Sequence, residues 1–573
     1  MYAQLRPAPA DFQVFDTTLR DGSQQEGLNL SVADKLAITG LLDELGVGFI
    51  EGGWPGANPG DTAYFAAMAE GAVRLTNAEL VAFGFTRRVG MRAADDPLTA
   101  ALRDSRAPVV CLVAKSHDRH VQQALRTTLD ENLAMVADTV GHLRSGGQRV
   151  FVDCEHFFDG YRENKAYALE VVRTAVEAGA EAVVLCDTNG GMLPSWVGEI
   201  VAETAEVMAG SGVHLGIHAH NDTGCAVANT LAAVDAGATH VQGTVNGYGE
   251  RTGNAELISV VANLELKYGW SLLPEGSLRE ATRLAHAIAE VTNVPSSARQ
   301  PYVGLSSFAH KAGLHASAIK VDPNLYQHID PGVVGNDMRM LVSDMAGRAN
   351  IQIKGSELGF DLSDRDLAAQ ITDLVKAREA SGYTYESADA SFELLLRREL
   401  DQLPEYFAVQ SWRMFTQGFP GASGGLGERE SDTECTVRLT AKGISQRVVG
   451  EGNGPVNALD HAFRNALLPA YPVVEDFELT DYRVRILDQG HGTDATVRVL
   501  IQTSDGRRLW TTVGVGQNVV EASYEALSEA YLYGLLHAEH ADASGPRTSA
   551  GLADADLERF ATEAASDDSA RRA

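Results

Sequence analysis

The chain has 573 residues, a formal net charge of -30, 45% hydrophobic and 22% charged residues. That length calls for two or three domains, with ample apolar content for a sizeable core. The acidic balance excludes nucleic acid and anionic membrane surfaces as main partners, because phosphate attraction needs a basic face, and no apolar run approaches the ~18 residues a bilayer span requires. The start lacks an apolar signal stretch, and the five cysteines (Cys111, Cys154, Cys186, Cys225, Cys435) form no Cys-x-x-Cys pair. The expectation is a cytoplasmic protein without a disulfide framework, working on soluble small molecules.

From Phe12 onward, short Val/Ile/Phe-rich runs alternate with longer amphipathic segments, the pattern of a parallel sheet built from βα units. Candidate strands are 13–15, 48–51, 79–83, 109–113, 150–153, 182–186, 214–218 and 240–245. Eight such units predict a (β/α)8 TIM barrel over 1–276. A doubly wound sheet would need a topological switch point and a Gly-rich phosphate loop after its first strand, and neither is visible. Helix signals agree. Ser31 with Asp34 heads a stripe of Leu36, Leu41, Leu42 and Leu45, Thr128 opens a helix ending at 145–147, and Asn164 opens one ending at Gly179.

Residues 277–398 read as helical linker subdomains, with breaks at 293–296 and 330–332. The Gly-rich run 418–427 reads as a loop. Residues 399–537 read as an α+β regulatory and dimerisation domain with two strand-strand-helix repeats: 436–439, 449–453 and helix 456–468, then 496–499, 513–518 and helix 520–536. The small-residue loops 450–454 and 514–518 either bring backbone amides to a carboxylate or are tight turns before helices. The tail 538–573, rich in Ala, Asp, Ser and Glu, is expected to be mostly disordered.

In a barrel of this kind the chemistry collects where strands end. Those ends are polar almost throughout: 16–21, 51–54, 86–88, 115–117, 155–156, 187–189, 218–222 and 246–254. His218 and His220 lie two apart at the end of a strand and so face the same way. With Asp21 they offer a divalent ion one hard oxygen and two imidazole nitrogens, leaving positions for water and substrate. That set suits Mg, Mn, Co or Zn without choosing among them. The open positions suit a 2-oxo acid chelating through its keto and carboxylate oxygens. Arg20 stands next to Asp21, ready for a substrate carboxylate or a developing alkoxide, unless it is spent in an ion pair with Glu51 or Glu155. Thr188 can donate a hydroxyl to a carboxylate. Glu155 is either an acid/base group or a residue orienting Arg20.

Four long motifs then carry a resemblance: DTTLRDGSQQEG at 16–27, CDTNGG at 186–191, HAHNDTGCAVAN at 218–229 and GTVNGYGERTGNAEL at 243–257. They resemble the 2-isopropylmalate, homocitrate and citramalate synthase family of Claisen-condensing enzymes. Within it, EGGWPGANP at 51–59 and EHFFDGY at 155–161 look like the citramalate-forming branch, while the leucine-pathway branch, with 2-oxoisovalerate as acceptor, is the alternative. The resemblance implies condensation of acetyl-CoA with pyruvate and water to (R)-citramalate and CoA. It implies a metal on Asp21, His218, His220 and Asn254, a substrate held by Arg20 and Thr188, and a role for Glu155.

It further implies a base for the acetyl methyl group, His315 with its companion Tyr326, reaching in from the other subunit of a homodimer. Read without the motif, His315 is as well a structural histidine, and His310 is its nearest competitor. The C-terminal repeats resemble the family's regulatory domain, for which isoleucine would be the end-product inhibitor. Asp153 and Cys154 depart from the family, where a bulkier residue helps frame the keto-acid pocket. A lyase relative on the same barrel would have no evident need for the repeats. A non-enzymatic amino-acid sensor on a spent barrel would have lost one of Asp21, His218 and His220, and all three are present.

Overall fold

A computed structural model describes residues 8–9, 11–319, 321–342, 348–386, 388–418, 431–487 and 495–541. The chain forms two compact units, one of Met1–Phe308 with His328–Met338, the other of Ala309–Gln327 with Arg339–Ala573. Most of the expected loop 418–427 and all but the start of the expected tail 538–573 lie outside the described residues.

The first unit holds a closed barrel of eight parallel strands in sequence order: β1 (Gln13–Asp16), β2 (Phe49–Gly53), β3 (Glu79–Phe85), β4 (Val109–Lys115), β5 (Arg149–Glu155), β6 (Ala182–Asp187), β7 (His214–Ala219) and β8 (His240–Gly243). It closes where β8 pairs β1, with Val14 opposite Val241. Side chains alternate along each strand, so one set fills the lumen and the other meets the helices. Phe15, Phe49, Val81, Val109, Cys111, Phe151 and Ala182 form the inner cluster. Ile50, Val110, Val152, Leu185 and Ile217 join Ile38, Leu42, Val136 and Val172 in the outer core. Each such aliphatic side chain, fully buried, contributes ~1.5–3 kcal/mol.

Local chemistry sets the helix ends. Ser31 and Asp34 form a reciprocal capping box on Val32–Leu45, which stops at Gly46 in the left-handed region. Thr128 caps Leu129–Ser145, and Asn164 caps Lys165–Ala178. A short helix, Phe157–Glu163, follows β5 unannounced by the pattern. Past β8, the helix Ala281–Thr292 presents Leu284, Ala285 and Ile288 to the barrel's own outer core.

The second unit begins with helices including Arg365–Ala380 and Asp389–Glu399. Two antiparallel three-stranded sheets follow, Phe407–Gly418, Ser431–Ala441 and Ile444–Gly452, then Glu478–Ile486, Val497–Ser504 and Leu509–Gly516. Helix Pro455–Leu467 follows the first sheet and Val519–Ala541 the second. Each repeat therefore carries a leading strand that the two-strand reading omits. Tyr482, Val484 and Ile486 alternate with Arg483 and Arg485, a strand signal that the two-strand reading passed over, although all five side chains are exposed. Gly450 and Gly514 sit where strand and helix nearly touch: a Cβ on Gly514 would lie 2.0 Å from the Ala522 carbonyl oxygen, and one on Gly450 2.3 Å from the Ala462 nitrogen. Close packing accounts for both glycines. Among the described residues no helix is long and apolar enough to cross a membrane.

Candidate active site

Every strand of the barrel ends at one mouth, and the loops after β1, β7 and β8 meet there. Asp21 follows β1 in a short turn, and His218 lies on β7 with His220 just past its end. Asp21 Oδ2 is 3.2 Å from His218 Nε2 and 3.6 Å from His220 Nε2, and the two Nε2 atoms are 3.3 Å apart. One ligand atom from each of the three lies within 4.8 Å of the others. Asn254 joins His220 through a backbone bridge. Its side-chain nitrogen donates to the Tyr248 carbonyl at 2.9 Å, which commits that end of the amide. Asn254 Oδ1 and Asp21 Oδ2 are buried acceptors without hydrogen-bond donors among the described residues. Buried oxygens left unpaired beside two converging imidazoles fit a divalent cation, because its charge would satisfy both.

Electrostatics favour the same reading. Burial alone would raise the Asp21 carboxyl, but the charge of Arg20 beside it outweighs that and holds Asp21 well below the ordinary carboxylate range. His220 is pushed down to about 4 by burial and by His218. It is a neutral imidazole at pH 7.

Arg20 is fixed on three sides. Its Nε donates to Glu51 Oε2 at 2.7 Å, its Nη1 lies 3.1 Å from Asp21 Oδ1, and its guanidinium carbon sits 3.9 Å above the Phe83 ring. Thr17 Oγ1 donates to the same Glu51 oxygen at 2.6 Å. Of the two acids considered as partners for Arg20, the structure pairs it with Glu51. Glu155 instead meets Lys115 at the end of β4. Thr188 Oγ1 accepts the His156 backbone N–H at 2.8 Å, which leaves its own proton to donate. Arg251 wires three motifs together, reaching both Asp222 oxygens at 2.8 and 2.9 Å and the Thr188 carbonyl at 2.9 Å.

His315 and Tyr326 belong to the second unit, where their rings stack at 4.1 Å, with His310 6.3 Å from His315. Sequence reasoning collected Lys115, Asp222 and Arg251 among the polar strand ends without giving them a role, and passed over Gln242. For Gln242 a signal existed, an amide side chain two residues after His240 and so on the same face of the eighth strand.

An eight-stranded barrel with two imidazoles and a carboxylate at its mouth, followed by a repeat domain, defines a class of barrel enzymes, and three family models match along the chain. They are HMGL-like over 11–286, homocitrate synthase post-HMGL domain-like over 302–382 and LeuA allosteric (dimerisation) domain over 386–535. The class is that of transferases of the 2-isopropylmalate and homocitrate synthase type. The chain is 65% identical to the (R)-citramalate synthase of Streptomyces coelicolor, over 92% of this chain and 97% of that protein. It is 45% identical to that of Aquifex aeolicus (92% and 98%) and 46% identical to that of Synechocystis (91% and 96%). The chain belongs to the (R)-citramalate synthase family.

Proposed function

We propose that the chain condenses acetyl-CoA with pyruvate and water to give (R)-citramalate and free CoA. The observation that carries the reaction class is the convergence of Asp21, His218 and His220 at the barrel mouth, with unpaired buried oxygens on Asp21 and Asn254. The names of the relatives, one of them 65% identical, support pyruvate as acceptor. These four residues would hold a divalent ion, Mg, Mn, Co or Zn, which when bound supplies Lewis-acid polarisation of the keto group.

The chain's own groups do the rest. Arg20 turns its remaining N–H groups to the substrate carboxylate and to the charge that develops on the keto oxygen, and Thr188 donates to the carboxylate. His315, with Tyr326 stacked on it, takes a proton from the acetyl methyl group, whose acidity is too low for unaided ionisation. The resulting carbon attacks the keto carbon of pyruvate, a C–C bond forms, and the keto oxygen takes a proton. Water then cleaves the thioester C–S bond, and CoA leaves as the thiol. Glu155, paired with Lys115, serves the proton transfers at the mouth. His315 and Tyr326 act from the partner subunit of a homodimer. The match to an allosteric dimerisation domain supports that assembly and an effector site; the effector proposed is isoleucine, as end product of the biosynthesis the enzyme would feed.

Release of CoA thiol with a panel of 2-oxo acids tests the reading. Pyruvate is expected to give the fastest release, chelator to abolish it and isoleucine to slow it. A faster rate with 2-oxoisovalerate would overturn the acceptor assignment, and full activity in His218→Ala would overturn the metal site.

A further inference from the structure

We infer that Gln242, oriented by Asp153, is the positioning residue that sets His218 as a metal ligand. This rests on Asp21, His218 and His220 being the ion site. The three side chains of the relay are buried, with 1% of Gln242, 3% of Asp153 and 5% of His218 exposed. Gln242 on β8 lies in register opposite His218 on β7, while Asp153 comes from β5 across the lumen.

The relay has a fixed direction. Gln242 Nε2 donates to Asp153 Oδ1 at 3.0 Å, and a carboxylate only accepts. The other end of the amide, Oε1, therefore faces His218 Nδ1, at 2.8 Å. A carbonyl oxygen also only accepts, so the proton sits on Nδ1. Nε2 is left as the ligating nitrogen, and Nε2 is the atom that faces Asp21 and His220. His220 has no matching support, since its Nδ1 lacks a hydrogen-bond partner among the described residues. The two histidines are thus unequal: His218 is held in tautomer and ring angle before any ion arrives, and His220 is placed by its backbone.

Zn2+ binding to the full-length protein, measured by calorimetric titration, tests this without an assay of turnover. Gln242→Leu removes the acceptor and is expected to weaken binding about 10- to 100-fold. Gln242→Glu combined with Asp153→Asn keeps an acceptor toward His218 and a donor between residues 153 and 242, and is expected to recover most of that loss, which a packing role for Gln242 would not predict. Asp153→Asn frees the amide to flip and is expected to fall between them. In the Zn2+-loaded wild type, with histidine labelled in nitrogen-15, His218 should show a protected Nδ1–H signal that Gln242→Leu loses. Equal Zn2+ affinity in a folded Gln242→Leu protein, or a proton on Nε2 of His218, overturns the relay alone. A wild type that binds no Zn2+ overturns the site on which the relay rests.

Discussion

Asp21 divides its oxygens between two tasks, Oδ1 toward Arg20 and Oδ2 toward the imidazoles. Arg20 is in turn locked by Glu51 and Phe83, so its angle is set before substrate arrives. Arg20→Lys keeps the charge but loses the planar fork and the stacking surface. Its kcat/KM for pyruvate should fall on the order of 100-fold, the scale of one lost preorganised donor, and steady-state kinetics would show it. His240 makes a separate, stability-level prediction. It is fully buried, 5.4 Å from the Phe15 ring and 5.3 Å from Phe151, with Nδ1 on Gln13 Oε1 at 2.8 Å. Burial, followed by the nearby His214 and His218, pushes it down to about 3 from 6.5. Its folded value lies below its unfolded one, so its contribution is whole above pH 6.5 and is lost as pH falls toward 3. Over that window the unfolded chain gains a proton the folded chain refuses, costing about 1.4 kcal/mol per pH unit. Urea midpoints measured between pH 7 and 5 should therefore fall less steeply in His240→Gln than in the wild type.

Among the elements, strand and helix pack closely in the repeat domain. Gly514→Ala would place a methyl 2.0 Å from the Ala522 carbonyl oxygen, whereas at Gly516 the nearest atom is 3.6 Å away. The first should cost about 1–3 kcal/mol by overpacking and lower the melting temperature of the domain, with the second close to neutral. Equal melting curves would refute close packing as the reason for Gly514. In the barrel, Gly253 has φ +88, and a Cβ there would meet the Gly247 carbonyl oxygen at 1.9 Å. This turn delivers Asn254 to the site. Gly253→Ala should therefore weaken metal binding more than it lowers the melting temperature, a contrast that calorimetry and thermal unfolding together would show.

For the whole molecule, the decisive question is whether one subunit completes the site of another. His218→Ala and His315→Ala should each be inactive. If the two residues act from different chains, mixing the variants and allowing subunit exchange yields one intact site in each mixed dimer, or about a quarter of the wild-type rate for a random mixture. No recovery after exchange, with mixed dimers demonstrated, would place both residues in one chain.

The alternation of apolar runs and the polar residues ending them determined the eight-unit barrel and singled out Asp21, Arg20, His218 and His220, since strand periodicity and loop chemistry are local properties. Long ordered motifs then determined the family. What the sequence could not decide was pairing across the barrel. Arg20 had two acids within its compass, and only closure of the strands gave it Glu51 and left Glu155 to Lys115. Gln242 and Asp153 stand 89 positions apart and meet only because β5 and β8 share a lumen. The leading strands of the C-terminal repeats were legible only in part: Tyr482, Val484 and Ile486 alternate with Arg483 and Arg485, yet these side chains are exposed, so no buried face fixes the strand and its place comes from backbone pairing with a neighbour. Periodicity reports which face a residue turns to the core. Only the folded chain decides which distant side chain waits on that face.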